Sequence, residues 1–274
     1  SQSFNHSIAS SLVTIFSSFS GSNKTKCSTD LINGFDMLKV FFILLLFIFF
    51  NLVYVPFVNA YDNSEIENFL NNREDKWPDW SSPNLKSSNI KNDLIYPSWF
   101  EGDWAVTSEN IKDGSEEPLI YNVNFYKNES GKIIGNRSKN AESIGQAIFG
   151  NRLIKVKNDP KSFNNQITYL NDNQYIESRI TQRTQIHNNN LFFADEFAIQ
   201  TVHNPDASRI NQVEVMSKFY KCYEPISNFN EINNGNICGT QYLATYGSKV
   251  GEKNIKAISQ SQYKLTFKYL GKRR

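Results

Sequence analysis

The 274-residue chain is nearly neutral, with 29 Lys and Arg against 27 Asp and Glu, and 26 basic and 25 acidic side chains remain beyond residue 60. That balance supplies no basic excess to neutralise phosphates, which argues against nucleic acid as a partner. With three Cys and three His in the whole chain, and none of them at metal-ligand spacing, neither a metal nor a cofactor is expected.

Residues 1–36 are rich in Ser, Asn and Thr and carry no sustained period. They are read as a disordered or non-native leader, either upstream translation or a flexible extension. Residues 37–60 carry a targeting pattern: Met37-Leu38-Lys39, the apolar run Val40 to Phe50, then Val58-Asn59-Ala60. A cationic lead, an apolar core and a small closing residue predict a secretory signal peptide. Val40 to Val58 is also long enough to span a bilayer, so an uncleaved signal anchor is the alternative, giving membrane association through 40–58. Lys24, Lys26 and Lys39 precede the run, and in both cases the remainder is expected across the membrane. No Arg-Arg pair precedes the apolar core and no Cys follows it, so folding after export is expected, without a lipid anchor.

Residues 61–96 read as an extended arm. Ser64 to Asn71 has two helical turns' worth of period, with Ile66, Phe69 and Leu70 on one side. Pro78, Pro83 and repeated Asn and Ser then break it. Trp77 and Trp80 are its large anchors, for docking on the domain or on a partner.

From Pro97 to Leu270 the pattern becomes short alternating runs between Asn, Gly and Pro. Leu119, Tyr121, Val123 and Phe125 share one face of a run with mostly polar groups opposite, the signature of a half-buried strand. Tyr263, Leu265, Phe267 and Tyr269 repeat it with lysines between. Further strands are expected at about 102–109, 152–158, 164–170, 174–186, 191–202, 210–221 and 237–246, the face Val213, Val215 and Phe219 pointing to the core. Ala141 to Phe149 has helical spacing instead. Residues 271–274 form a basic tail. Nine strands with short hairpin links predict an all-β fold, one antiparallel up-and-down sheet closed into a barrel, which also removes edge strands.

Cys222 and Cys238 are the two cysteines left in the exported part, and a disulfide across their hairpin is expected. Such a loop closure stabilises by about 3 kcal/mol on the chain-entropy account.

Gly102-Asp103-Trp104 opens the first strand. Gly102 permits a tight backbone approach, and Trp104 would point inward to plug the barrel. Gly-x-Trp at this place resembles the lipocalin signature, and the resemblance implies a calycin-like barrel. No Thr-Asp-Tyr tripeptide follows; Arg273 is the late Arg that would cover the Trp. A second resemblance spans Tyr96 to Tyr269. It is carried by Tyr96-Pro-Ser-Trp-Phe-Glu-Gly-Asp-Trp, Ala194-Asp195-Glu196, Arg209-Ile-Asn-Gln-Val-Glu-Val, Gln241-Tyr-Leu-Ala-Thr-Tyr246 and Tyr263-Lys-Leu-Thr. Together these resemble an uncharacterised exported family of cyanobacteria and plastids, which implies the thylakoid lumen or periplasm but no reaction.

No nucleophile elbow, P-loop or zinc-protease motif is present, and His187 and His203 are isolated. Asp195 and Glu196 adjoin in one strand, so they face opposite ways and one of them can sit inside. Glu177, Arg179 and Arg183 alternate opposite Ile176, Ile180 and Ile186. Pointing inward, Arg179 and Arg183 would bind a ligand carboxylate. Trp104, Tyr121, Phe125, Arg179, Arg183, Phe219 and Phe267 are thus the expected ligand-binding residues, and no catalytic residue is assigned. The expected role is a binding protein for an apolar ligand such as a lipid or pigment. The alternatives are an assembly factor of a photosynthetic membrane complex, docking through Trp77 and Trp80, or a barrel isomerase or hydrolase.

Overall fold

The computed structural model describes residues 63–83, 85, 92–112, 116–222, 235–247 and 255–272. The leader, the apolar run 40–58 and Arg273 lie outside the described residues. Among the described residues no helix is long and apolar enough to cross a membrane.

Helix α1 (Asn63–Asp75) precedes a 3-10 turn at Ser98–Phe100 and the strands β1 (Gly102–Asn110), β2 (Leu119–Lys127) and β3 (Ile133–Gly135). Helix α2 (Arg137–Phe149) follows, and then β4 (Leu153–Asp159), β5 (Ser162–Leu170), β6 (Tyr175–His187), β7 (Leu191–His203), β8 (Ser208–Lys221), β9 (Ile237–Tyr246) and β10 (Ala257–Gly271). Eight of the nine expected strands match within two residues; the ninth is longer than its core alternation, and the three-residue β3 is too short to carry a period.

The ten strands form one antiparallel sheet in the order β3-β2-β1-β10-β9-β8-β7-β6-β5-β4. The up-and-down order is as expected, with the last strand returning to pair with the first, Val106 opposite Phe267. Closure is not: β3 and β4 are edges, and the sheet is a curled half-barrel. Helix α2 packs on both β2 and β4. Gly145 gives it room, since a Cβ there would lie 3.2 Å from the Leu153 side chain. Beyond the short β3, the edge of β2 is satisfied by α2 side chains. Ser143 Oγ accepts the Asn122 N–H at 3.0 Å and Asn140 Oδ1 accepts the Asn124 N–H at 2.7 Å. Exposed Lys155 and Lys157 guard the other edge against pairing.

Two apolar cores result, one on each face. The inner one gathers Trp104, Val106, Tyr121, Phe125, Ile144, Phe192, Phe219 and Phe267. The outer one gathers Phe193, Phe197, Met216, Tyr242 and Tyr246 under Leu70 and Trp80. The arm therefore docks on its own sheet: the Trp80 ring is fully buried, Trp77 lies 5.2 Å from Tyr242, and Ser81 bridges Lys256. Burial on both faces explains why β7 carries apolar side chains at adjacent positions, as in Leu191-Phe192-Phe193-Ala194, rather than alternating ones.

The expected disulfide Cys222–Cys238 is present, with Cα atoms 5.3 Å apart.

Candidate functional site

The inner face of β6, β7 and β8 is layered by register. At one end Phe192 pairs with Phe219. Past the layer of Gln185, Ala194 and Ser217 comes an ionic layer, Arg183 opposite Glu196, then Ile180, Ala198 and Val213. A polar row follows, running straight across five strands as Asn158, Gln166, Ser178, Gln200 and Asn211.

The aromatic layer is a packed block. Phe100, brought inward by the turn before β1, lies 4.9 Å from Phe125 and within 6 Å of Phe192, Phe219 and Phe267. Tyr96 stacks on Phe192 at 4.6 Å. Trp104 is buried beside it and donates Nε1–H to the Phe100 carbonyl at 2.7 Å. Gly102, at φ +138°, is where Tyr269 crosses the backbone: a Cβ there would lie 2.5 Å from the Tyr269 ring. Tyr269 covers Trp104 at 5.0 Å between centroids, the place the resemblance gave to a late Arg. Gly239 does the same service for Phe219, whose ring passes 2.1 Å from where its Cβ would be.

Five of the seven expected ligand residues, Trp104, Tyr121, Phe125, Phe219 and Phe267, thus share one inner cluster. The two arginines separate. Between Ile180 and Gln182 the β6–β7 register shifts, so β6 carries an extra residue at Thr181. This bulge reverses the alternation beyond it. Arg179 stays outward and exposed, whereas Arg183 joins the face of Ile180, buried. Plain period-two counting puts both arginines on one face because a bulge has no sequence mark here.

Asp195 and Glu196 divide as the alternation predicts. Glu196 faces inward and accepts the Arg183 Nε–H at 2.6 Å; Arg183 Nη1 also donates to the Asn92 carbonyl at 2.5 Å. Asp93 and Arg137 reach the same interior and act electrostatically on this pair. Burial pushes the Asp93 carboxyl up to about 7, against the pull of Arg137 and Arg183. Burial likewise raises Glu196, against the Arg183 charge, and raises Tyr96 well above the ordinary phenol value, helped by Glu196 and Asp93. Several buried polar atoms of this layer have no hydrogen-bond partner among the described residues: Asp93 Oδ2, Glu196 Oε2, and Arg137 Nε and Nη1. Asp93 and Arg137 belong to loops and helix starts without apolar period, and no signal in the sequence pointed to them.

Asp195 faces outward into a second buried layer beneath α1. Arg73 grips Glu214 with two hydrogen bonds, Nε to Oε1 at 2.7 Å and Nη2 to Oε2 at 2.5 Å. The Tyr246 hydroxyl donates to the same carboxylate. Asp195 is held well above its ordinary pKa by burial and by the Glu214 charge. This layer is sealed by the arm and acts as a clasp.

His187 is exposed on its strand end, and His203 stacks on Tyr175 at 4.2 Å beside the outward Glu177. Neither belongs to the ionic layer. Among the described residues no cluster of His, Cys, Asp or Glu has the makings of a metal site.

A family model described as a domain of unknown function, DUF6816, matches residues 89–270. The chain belongs to the DUF6816 family. The match covers the whole half-barrel and starts after the Trp77 and Trp80 arm. No curated protein and no solved structure matches the chain.

Proposed function

We propose that this DUF6816 domain is a binding module that takes a small amphipathic molecule into the curl of its sheet. The observation that carries the reading is the ionic layer: buried polar atoms of Asp93, Arg137 and Glu196 lack hydrogen-bond partners among the described residues while lying close to an aromatic block. Leaving a buried donor or acceptor unmade costs about 1–3 kcal/mol each, a cost that a ligand with a polar end offsets. Convergent polar groups in a mostly apolar concavity are the usual makeup of a small-molecule site.

In this reading the curled sheet works as calycin-like barrels do, and the apolar ligand is a lipid or pigment with a polar head. The domain acts after export, in the thylakoid lumen or periplasm, where the Cys222–Cys238 bond is stable. Whether the signal is removed or kept as an anchor leaves the binding chemistry unchanged. An assembly role through the arm receives less support, because Trp77 and Trp80 are already engaged with Tyr242. A hydrolase or isomerase role has no His near the ionic layer to recommend it.

The test is extraction of the purified protein with organic solvent, followed by mass and absorption spectra. A stoichiometric amphipathic molecule is the expected result. Protein that releases none, and takes up no amphiphile when offered one, overturns the proposal.

A further inference from the structure

Of the ionic groups in the curl, Arg183 is satisfied twice, by Glu196 and by the Asn92 carbonyl. Arg137 is not. It is the first residue of α2, its residue is 2 % exposed, and its Nε and Nη1 find no hydrogen-bond partner among the described residues. Its guanidinium lies over the Phe163 ring, 5.8 Å from Cζ, which contributes a weak cation–π attraction and no acceptor. Burial lowers its pKa to about 9, so it is still a cation at neutral pH. Asp93 attracts it without a hydrogen bond, and a buried cation whose N–H donors go unanswered is costly until an acceptor meets them.

The charge count selects the anion. Arg137 and Arg183 bring two positive charges and Glu196 one negative. Asp93 is pushed up to about 7 by burial, so it can hold or release its proton near neutral pH, and when ionised it balances the layer. The protonated form leaves one positive charge over, which a single negative charge balances. A dianion would bring one charge too many beside the unpartnered Glu196 Oε2. Protonated Asp93 also has an O–H to donate to a carboxylate oxygen. The Tyr96 ring, with Phe125 and Phe192 each 4.6 Å from it between centroids, supplies an apolar wall next to it.

We infer that Arg137 is the receptor for a carboxylate, and that the ligand class is a monocarboxylate with an apolar body. The inference rests on the binding function proposed above and names its ligand. Arg137 holds the head, Asp93 shares a proton with it, and the body lies against the aromatic block.

The test uses the protein purified as expressed and stripped of bound organic molecules. Decanoate, methyl decanoate and decyl phosphate are titrated into wild type, Arg137→Met and Arg137→Lys by calorimetry. Decanoate is expected to bind one to one, at least about tenfold tighter than the ester, as loss of a charge-assisted hydrogen bond requires. Arg137→Met is expected to lose at least about tenfold in decanoate affinity while binding the ester as wild type does, which also shows that it is folded. Arg137→Lys should recover part of the loss, because a point charge replaces a planar fork. Equal binding of acid and ester, a preference for decyl phosphate, or full decanoate affinity in Arg137→Met overturns this inference and leaves the binding function standing. Failure of all three compounds to bind wild type overturns both.

Discussion

Arg73→Met tests whether the arm is clasped by the outer ionic layer. Arg73 makes both of its short bonds to Glu214, a further one of 2.7 Å to the Ser81 carbonyl, and a cation–π contact to Trp80 at 4.4 Å. Methionine keeps most of the stem and removes all of these. Glu214, whose side chain has no exposure, would then have the Tyr246 hydroxyl and the protonated Asp195 carboxyl to hold its charge. Breaking a buried pair by removing one partner costs about 3–5 kcal/mol. Glu214 has an escape, which is to bind a proton, and the escape sets the pH dependence. Burial already raises its pKa, with Arg73 as the chief opposing influence; removing Arg73 raises it further. An acid whose folded pKa lies above its unfolded value binds more protons when folded, so its contribution to stability falls as pH rises through that window. The penalty in Arg73→Met should therefore be small near pH 5, where Glu214 is protonated at little cost, and should approach about 3 kcal/mol by pH 8. Urea unfolding at both pH values, with the disulfide intact, measures it. The double variant Arg73→Met/Glu214→Leu removes the stranded charge and should recover at least half of the loss at pH 8. A penalty that does not depend on pH, or a double variant as unstable as the single one, would refute the clasp.

Gly239→Ala should destabilise by about 1–3 kcal/mol through overpacking, since the new methyl meets both the Phe219 ring and the Lys218 carbonyl at 2.5 Å; pairing it with Phe219→Leu should relieve the ring clash only, so the double variant stays below wild type in thermal melts. Replacing both Cys222 and Cys238 by Ser should lower stability by about 3 kcal/mol, the entropy of an unclosed loop of this length, and a denaturation midpoint unmoved by that change would count against it. Decanoate binding at pH 7 should take up a fraction of a proton, because a second anion beside Arg137 pushes Asp93 above its resting value of about 7. Calorimetry in two buffers of different ionisation enthalpy reads that uptake, and Asp93→Asn should abolish it.

Strand positions were legible because the two signals that define them, alternation and turn residues, are local. Ile237 to Tyr246 illustrates this, falling on the residues expected. Closure of the sheet was not legible, because it depends on the pairing of distant edges. The gap between β3 and β4 is filled by α2 through three small features: Gly145 against Leu153, and Asn140 and Ser143 against the edge of β2. Each is an ordinary residue of a helix, and only their joint placement fills the gap.

The site shows the same limit in a sharper form. Adjacent carboxylates must part to opposite faces of a strand, so the separation of Asp195 from Glu196 follows from chain geometry alone. Pairing Arg179 with Arg183 follows from the same rule and fails, because one extra residue at Thr181 resets the phase of β6. The bulge has a chemical consequence. Without it Arg183 would be outward and Glu196 would stand alone on the inner face; with it, Glu196 is neutralised by its cross-strand neighbour. That neutralisation leaves Arg137 with buried N–H donors that still need an acceptor among the described residues. Deleting Thr181 removes the extra residue and should therefore leave Gln182 opposite Phe197, Arg183 opposite Glu196, and the Arg137 receptor as it is. Decanoate affinity should then be retained, and its loss would show that the ligand depends on the bulge itself rather than on Arg137.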